Sequence, residues 1–200
     1  MTTDRKLTDI GLMGISARDV LTKRDINLDD VLYGSPELMQ LNIINLLYLL
    51  ERHYAPLLSG RFLDLFCGKG YVLQGIAQEH PALDLYGIDG NEEVIVEAKR
   101  ICPAGHFSNQ LCPPLPYEHN FFNIVYANKI MDYSDTQSRY GHIFPTTFSL
   151  EELSREMYRT LDAGGIYVPG DILTEKEQEI LRAVGFESVE KSGSAVFEKR

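Results

Sequence analysis

The residues best able to do chemistry lie in the segment Asp64-Leu-Phe-Cys-Gly68-Lys-Gly70, where an acid near the end of an apolar run precedes two closely spaced glycines. Glycines let the backbone approach a ligand, and the N-terminus of a helix behind them offers free amide groups to a polar or anionic group. Further along, a second apolar run ends in Ile88-Asp89-Gly90. An acid at that place accepts hydrogen bonds from ribose hydroxyls, the usual way a parallel sheet recognises a nucleoside. A GxG loop alone is weak. Two acids and two glycines, each in the matching strand and helix context, make a nucleoside-containing ligand the expectation.

Other chemistries fare worse. Cys67 sits inside the glycine loop with no histidine near it in sequence, so it reads as a small packed thiol rather than a nucleophile. His53, His80, His106, His119 and His142 show no metal-ligand spacing, and no metal is expected. The loop Gly-Lys-Gly-Tyr lacks the pattern of a P-loop, which argues against ATP binding. A nicotinamide site would need a glycine at Leu73 and would leave Asp64 without a role.

These residues need strands and helices in alternation, and the sequence supplies them from Arg61 onward. FLDLF reads as a strand, Gly70 to Glu79 as a helix, LDLYGID as a strand, and Asn91 to Ile101 as a helix capped by Asn91. A short strand at 106–108 leads through CPPLPY to the strand FFNIVYAN. Ser149 with Glu152 and Thr174 with Glu177 are capping boxes; Gly164 and Gly165 are expected to separate the first of those helices from the strand IYV, and Gly185 to end the second. The tail FESVEK, SGS, AVFEK reads as a closing antiparallel hairpin. Upstream, Ser35, Pro36 and Glu37 start a helix whose apolar stripe runs from Leu38 to Tyr54 and is closed by Pro56. The pattern predicts an α/β fold: a doubly wound, mostly parallel seven-stranded sheet with helices on both faces and an antiparallel C-terminal hairpin. Residues 1–60 are expected to form an N-terminal helical extension, a lid or docking segment whose first 34 residues have weak periodicity, and residues 61–200 the α/β domain that carries the motifs.

Charge narrows the partners. With 29 acidic against 19 basic residues, the 200-residue chain carries a formal charge of −10, so phosphate backbones are repelled on average and nucleic acid is not an expected partner. The apolar run Leu41 to Leu50 is about half the roughly 20 residues a bilayer span needs, so no membrane association is expected. The N-terminus lacks an apolar signal core, and three cysteines without a CxxC pair suit reduced thiols; both point to the cytoplasm.

The sequence resembles the class I S-adenosylmethionine-dependent methyltransferases, a Rossmann-like family with type 11/25-like methyltransferase domains. DLFCGKG is similar to their first motif, YGIDGNEEVIVEAKR to the second strand and helix with the ribose acid, LPYEHNFFNIVYAN to the stretch around the fourth strand, and EELSREMYRTLDAGGIYV to the helix and strand that follow. The resemblance implies S-adenosyl-L-methionine as cofactor. Asp64 would lie near the methionine ammonium, Phe66, Gly68 and Gly70 would line the methionine and ribose, and Asp89 would hold the ribose hydroxyls. Gly90 and Asn91 would border the adenine, Asn109 and Gln110 would meet its amino group, and Asn128 would lie beside the transferred methyl. The chain departs from the family pattern in having Phe66 where glycine is commonest, a variant familiar among RNA and DNA methyltransferases. It also lacks the Pro-Pro-aromatic sequence that nucleic-acid amino-methyltransferases carry after the fourth strand, having Lys129-Ile130-Met131 instead.

The expected function is methyl transfer to a small-molecule acceptor; the alternatives are an RNA or protein methyltransferase, or a catalytically inactive cofactor-binding scaffold. No catalytic residue is assigned. The acceptor is expected to be chosen by the segment from Asn128 to Phe148, where Tyr133, Tyr140, His142 and Phe144 suit a pocket wall, together with the region before Gly60. An unperturbed imidazole suits a general base, which makes His142 a weak candidate; a packing or surface role is the plainer reading.

Overall fold

The structure, a computed structural model, describes residues 36–128, 149–170 and 172–200. Helix α1 (Pro36–His53) and a 3-10 turn (Ala55–Ser59) precede β1 (Arg61–Leu65), α2 (Tyr71–Glu79), β2 (Asp84–Asp89), α3 (Glu92–Ile101) and β3 (His106–Asn109). There follow β4 (Phe122–Ala127), α4 (Leu150–Thr160), β5 (Leu161–Pro169), α5 (Glu175–Val184), β6 (Phe186–Lys191) and β7 (Ser194–Lys199).

The strands form one sheet in the order β3-β2-β1-β4-β5-β7-β6. β1 to β5 are parallel, and β7 runs antiparallel to both its neighbours. The chain moves outward from β1 to β3, then restarts at β4 on the other side of β1, so the carboxyl ends of β1 and β4 flank the crevice where such sheets bind ligands.

Alternating residues build two cores. Phe62, Leu85, Ile124 and Ile166 face α1 and α2, where Leu50, Leu73 and Ile76 are buried. Leu63, Leu65, Ile88, Val125 and Tyr167 face the other way and are covered by Leu153, Met157 and Leu181 from α4 and α5. Being buried on both faces explains why β1 and β4 read as continuous apolar runs. Helices cover both faces, so the predicted doubly wound sheet is present.

The caps act as expected: Asn91 accepts from the amides of Glu93 and Val94, and both capping boxes are formed. The hairpin closes over Ser192 and Gly193, both at positive φ (52° and 78°), the geometry of the two-residue turn that matches strand twist. One boundary differs. β5 begins at Leu161, directly after α4, so Gly164 and Gly165 lie inside the strand's bounds rather than before it. Leu161 pairs with Phe122 and Ile166 with Ile124, which leaves residues 162–165 bulged opposite Asn123. Gly164 turns there at φ +77°, and a Cβ on Gly165 would lie 3.1 Å from the Asn123 carbonyl oxygen.

Candidate cofactor site

β1 delivers Asp64 next to its carboxyl end, paired with Gly87 of β2 on one side and Tyr126 of β4 on the other. The side chain is 2% exposed, and no hydrogen-bond donor among the described residues holds its carboxylate. Burial, reinforced by the negative charge of Asp89, pushes the Asp64 carboxyl well above the usual carboxylate range. Such an acid is costly in its ionised form, and a cation arriving beside it removes that cost.

The chain then turns sharply. Phe66 stands at φ +56°, Gly68 at +53° and Gly70 at +76°. The positive φ at Phe66 gives a physical reason for the family's glycine there; here the ring packs against the second core instead. Gly70 accepts the first helical bond of α2, from the Gln74 amide at 2.9 Å. A Cβ on Gly70 would come within 3.2 Å of both Ala98 and Phe107, so packing as well as φ requires the bare backbone.

Asp89 ends β2 and ties the glycine loop to the next helix. Its Oδ2 accepts the Gly68 amide at 3.1 Å, and its Oδ1 accepts the Asn91 amide at 3.0 Å. Burial raises its carboxyl from the ordinary value, while the amides of Asn91, Gly68 and Gly90 pull the other way. A carboxylate can accept about four hydrogen bonds, so these amides leave Asp89 acceptor capacity that suits a diol. Beyond Asp89, Asn109 Nδ2 donates to the Asp89 carbonyl at 3.2 Å and the Gln110 amide donates to the same oxygen at 3.0 Å.

Asp64, Gly68, Gly70, Asp89, Gly90, Asn109 and Gln110 thus gather along the carboxyl ends of β1, β2 and β3. Asn128 follows β4, on the opposite side of β1. Its Nδ2 faces Met39 Sδ at 3.9 Å, and a Cβ on Gly170 would stand 2.9 Å from its own Cβ. Two further residues stand beside these positions. Leu111 is 49% exposed beside Gly90, signalled only as an apolar residue after two polar ones at a strand end. Met39 reaches Asn128 from a helix far upstream, a contact with no local signal. Tyr133, Tyr140, His142 and Phe144 lie outside the described residues.

The thiols are quiet: burial pushes Cys67 well up and Cys112 to about 12, so neither forms a thiolate near neutrality. Among the described residues no cluster of side chains is arranged to hold a metal ion.

A parallel sheet in this order, with an acid and glycine loop after β1 and a second acid ending β2, defines a class I S-adenosylmethionine-dependent methyltransferase. The chain belongs to the methyltransferase domain family, whose model matches residues 59–196. No curated protein sequence matches it. Among solved structures it resembles a TehB-like SAM-dependent methyltransferase from Corynebacterium glutamicum, with 20% identity over 71% of this chain and 81% of that one and a TM-score of 0.52. The [4+2]-cyclase SpnF is similar at 24% identity and a TM-score of 0.57, over 76% of this chain and 60% of that one. Geranyl diphosphate C-methyltransferase from Streptomyces coelicolor A3(2) is similar at 13% identity and a TM-score of 0.59, over 91% of this chain and 72% of that one. At these identities the likeness is one of fold.

Proposed function

We propose that the protein transfers the methyl group of S-adenosylmethionine to a small-molecule acceptor in the cytoplasm. The observation that carries the cofactor half is the pairing of a buried acid, Asp64, and a half-buried one, Asp89, with a glycine loop. Asp64, desolvated and without a donor among the described residues, fits the methionine ammonium; Asp89 has acceptor capacity for the ribose hydroxyls; Gly68 and Gly70 supply the left-handed turns that carry the loop past both acids. The cofactor supplies an electrophilic methyl on a sulfonium. The residues of this chain hold and orient: Asp64 and Asp89 fix the two polar ends, and the buried ends of β1 and β4 exclude water between them. No general base is required for an amine acceptor that arrives neutral; an oxygen or carbon acceptor would need one.

Support for a small acceptor comes from the acidic charge of −10, which opposes nucleic acid, and from the presence of small-molecule enzymes such as geranyl diphosphate C-methyltransferase among the structural relatives. Three free, buried cysteines accord with a reducing compartment, and among the described residues no helix is long and apolar enough to cross a membrane. Acceptor choice falls to the segment 128–148 and to the region before Gly60. The Met39–Asn128 contact supports the second of these, since it brings α1 to the end of β4.

The test is thermal denaturation of the full chain with S-adenosylhomocysteine, NAD and ATP. Only a ligand that prefers the native state raises the melting temperature, so S-adenosylhomocysteine alone should do so. Equal stabilisation by NAD would sink the assignment. Screening small-molecule amines, acids and phosphates for turnover then identifies the acceptor, and turnover confined to RNA or to a protein would replace the small-molecule reading.

A further inference from the structure

A nucleoside held by Asp89 has one direction left for its base. The glycine loop lies on the β1 side of Asp89, so the base continues past β2 to the end of β3. Leu111 waits there, 49% exposed, its Cδ2 only 2.5 Å from where a Cβ on Gly90 would stand. A leucine packed directly on a bare glycine and half-exposed on its outer side offers an apolar surface for a planar ring. Asn109 and Gln110 have committed their amide nitrogens to the carbonyls of Asp89 and Pro114, at 3.2 Å each, which leaves their side-chain oxygens to accept from an exocyclic amino group.

Gln110 and Leu111 open a stretch, 110–121, that is neither helix nor strand. Its backbone polar groups must therefore find partners elsewhere, and they find them on α4. The Leu115 amide donates to Glu156 Oε2 at 2.9 Å. Arg159 donates to the Leu115 carbonyl from Nη2 at 3.0 Å and to the Tyr117 carbonyl from Nη1 at 2.8 Å. The same guanidinium grips Glu156 through Nε and Nη2, at 2.8 and 2.7 Å. The hydrogen bond from Arg159 holds the Glu156 carboxyl below its ordinary range, so the pair stays ionised at neutral pH. A planar fork of five donors can bridge two carbonyls and a carboxylate at once; an ammonium cannot reproduce that geometry. The platform behind it is firm, because α4 carries a formed capping box and buries Leu153 and Met157 completely.

We propose that Glu156 and Arg159 are a positioning pair for the base end of the cofactor site. They touch no ligand. They fix residues 115–117, the Gln110–Pro114 bond carries that constraint back to the strand end, and Gln110 and Leu111 are thereby held where the adenine lies. The inference rests on the S-adenosylmethionine reading above and adds to it a control of base recognition from the far side of the loop.

The experiment compares S-adenosylhomocysteine with its hypoxanthine analogue, in which the donating amino group is replaced by a carbonyl. Affinities are measured calorimetrically for the wild-type chain and for Arg159→Met, Arg159→Lys and Glu156→Gln. The wild type should prefer the adenine ligand by tenfold or more. Arg159→Met should lose most of that preference, binding the adenine ligand about tenfold more weakly with little change for the analogue, while kcat at saturating cofactor changes little. Arg159→Lys should recover part of the preference through one retained carbonyl bond. A merely structural role would weaken both ligands alike and leave the preference intact, and that result in any folded variant overturns the proposal. Should Arg159→Met fail to fold, the Lys and Gln variants keep the packing and decide the matter by the same ratio. A wild type that binds both ligands equally also overturns it, whereas a wild type that binds neither overturns the cofactor reading itself.

Discussion

The Gly68 amide donates to Asp89 Oδ2 at 3.1 Å, so the loop after β1 and the acid that ends β2 form one hydrogen-bonded unit rather than two adjacent features. The Cys67 amide adds a second tie, to the Ile88 carbonyl at 3.0 Å. Removing either side of this unit should disturb the other.

Asp89→Ala should therefore weaken S-adenosylhomocysteine binding by about 1.5–3 kcal/mol, the range for hydrogen bonds to a charged group. The Gly68 amide loses its partner as well, so the loss should fall at the upper end of that range. Titration calorimetry on the folded variant checks this, and an unchanged affinity would remove Asp89 from the site.

Gly70→Ala tests the loop itself. A left-handed φ of +76° costs an L-residue about 1–2 kcal/mol, and the new methyl would meet Ala98 and Phe107 at 3.2 Å. Urea unfolding should show a loss of at least that size, with a matching fall in cofactor affinity. A variant as stable as the wild type would mean the loop does not hold its left-handed turn.

What was legible in the sequence is what is local. Asn91, Ser149 with Glu152 and Thr174 with Glu177 bond to amides two or three residues on, so residue type alone announces them. β1 and β2 are legible because strands buried in a parallel sheet must be apolar and Asp64 and Asp89 interrupt them near their ends. The bulge at Gly164 and Gly165 is not, because it answers to Asn123 on another strand. The hold of Arg159 on Leu115 and Tyr117, and of Asn128 on Met39, spans 42–44 and 89 residues. Such contacts exist only once the sheet has assembled.

Nucleic acid offers a test of the charge argument. With a net charge of −10 the chain has few cations to spare for releasing counterions, so duplex DNA and structured RNA should bind no more tightly than about 1 mM at physiological salt. Fluorescence anisotropy across a salt series measures this. Micromolar affinity with a steep salt slope would favour the RNA alternative.

The buried acid at position 64 makes a prediction about pH. Burial first, then the charge of Asp89, raises its folded-state pKa above the value of about 3.9 it has in an unfolded chain. A raised pKa means the ligand-free fold is stabilised by this group only at low pH, and that contribution is lost as pH rises through the folded value. A bound ammonium reverses the preference, since a cation beside the carboxylate favours the ionised form. Cofactor binding should then release protons below the raised pKa, and apparent affinity should climb with pH through that value and level off above it. Among the described residues, Asp89 and the Cys67 thiol are the other titrating groups that act on Asp64; the thiol is neutral in this window, and Asp89 adds a smaller slope of the same sign. In Asp64→Asn the climb should shrink to the share owed to Asp89. That variant should also bind S-adenosylhomocysteine at least tenfold more weakly near neutral pH, while its ligand-free melting temperature holds or rises because a desolvated charge has gone. Calorimetry in two buffers of different ionisation enthalpy counts the protons directly. The same proton release and the same affinity in the asparagine variant would show that Asp64 does not meet the cation.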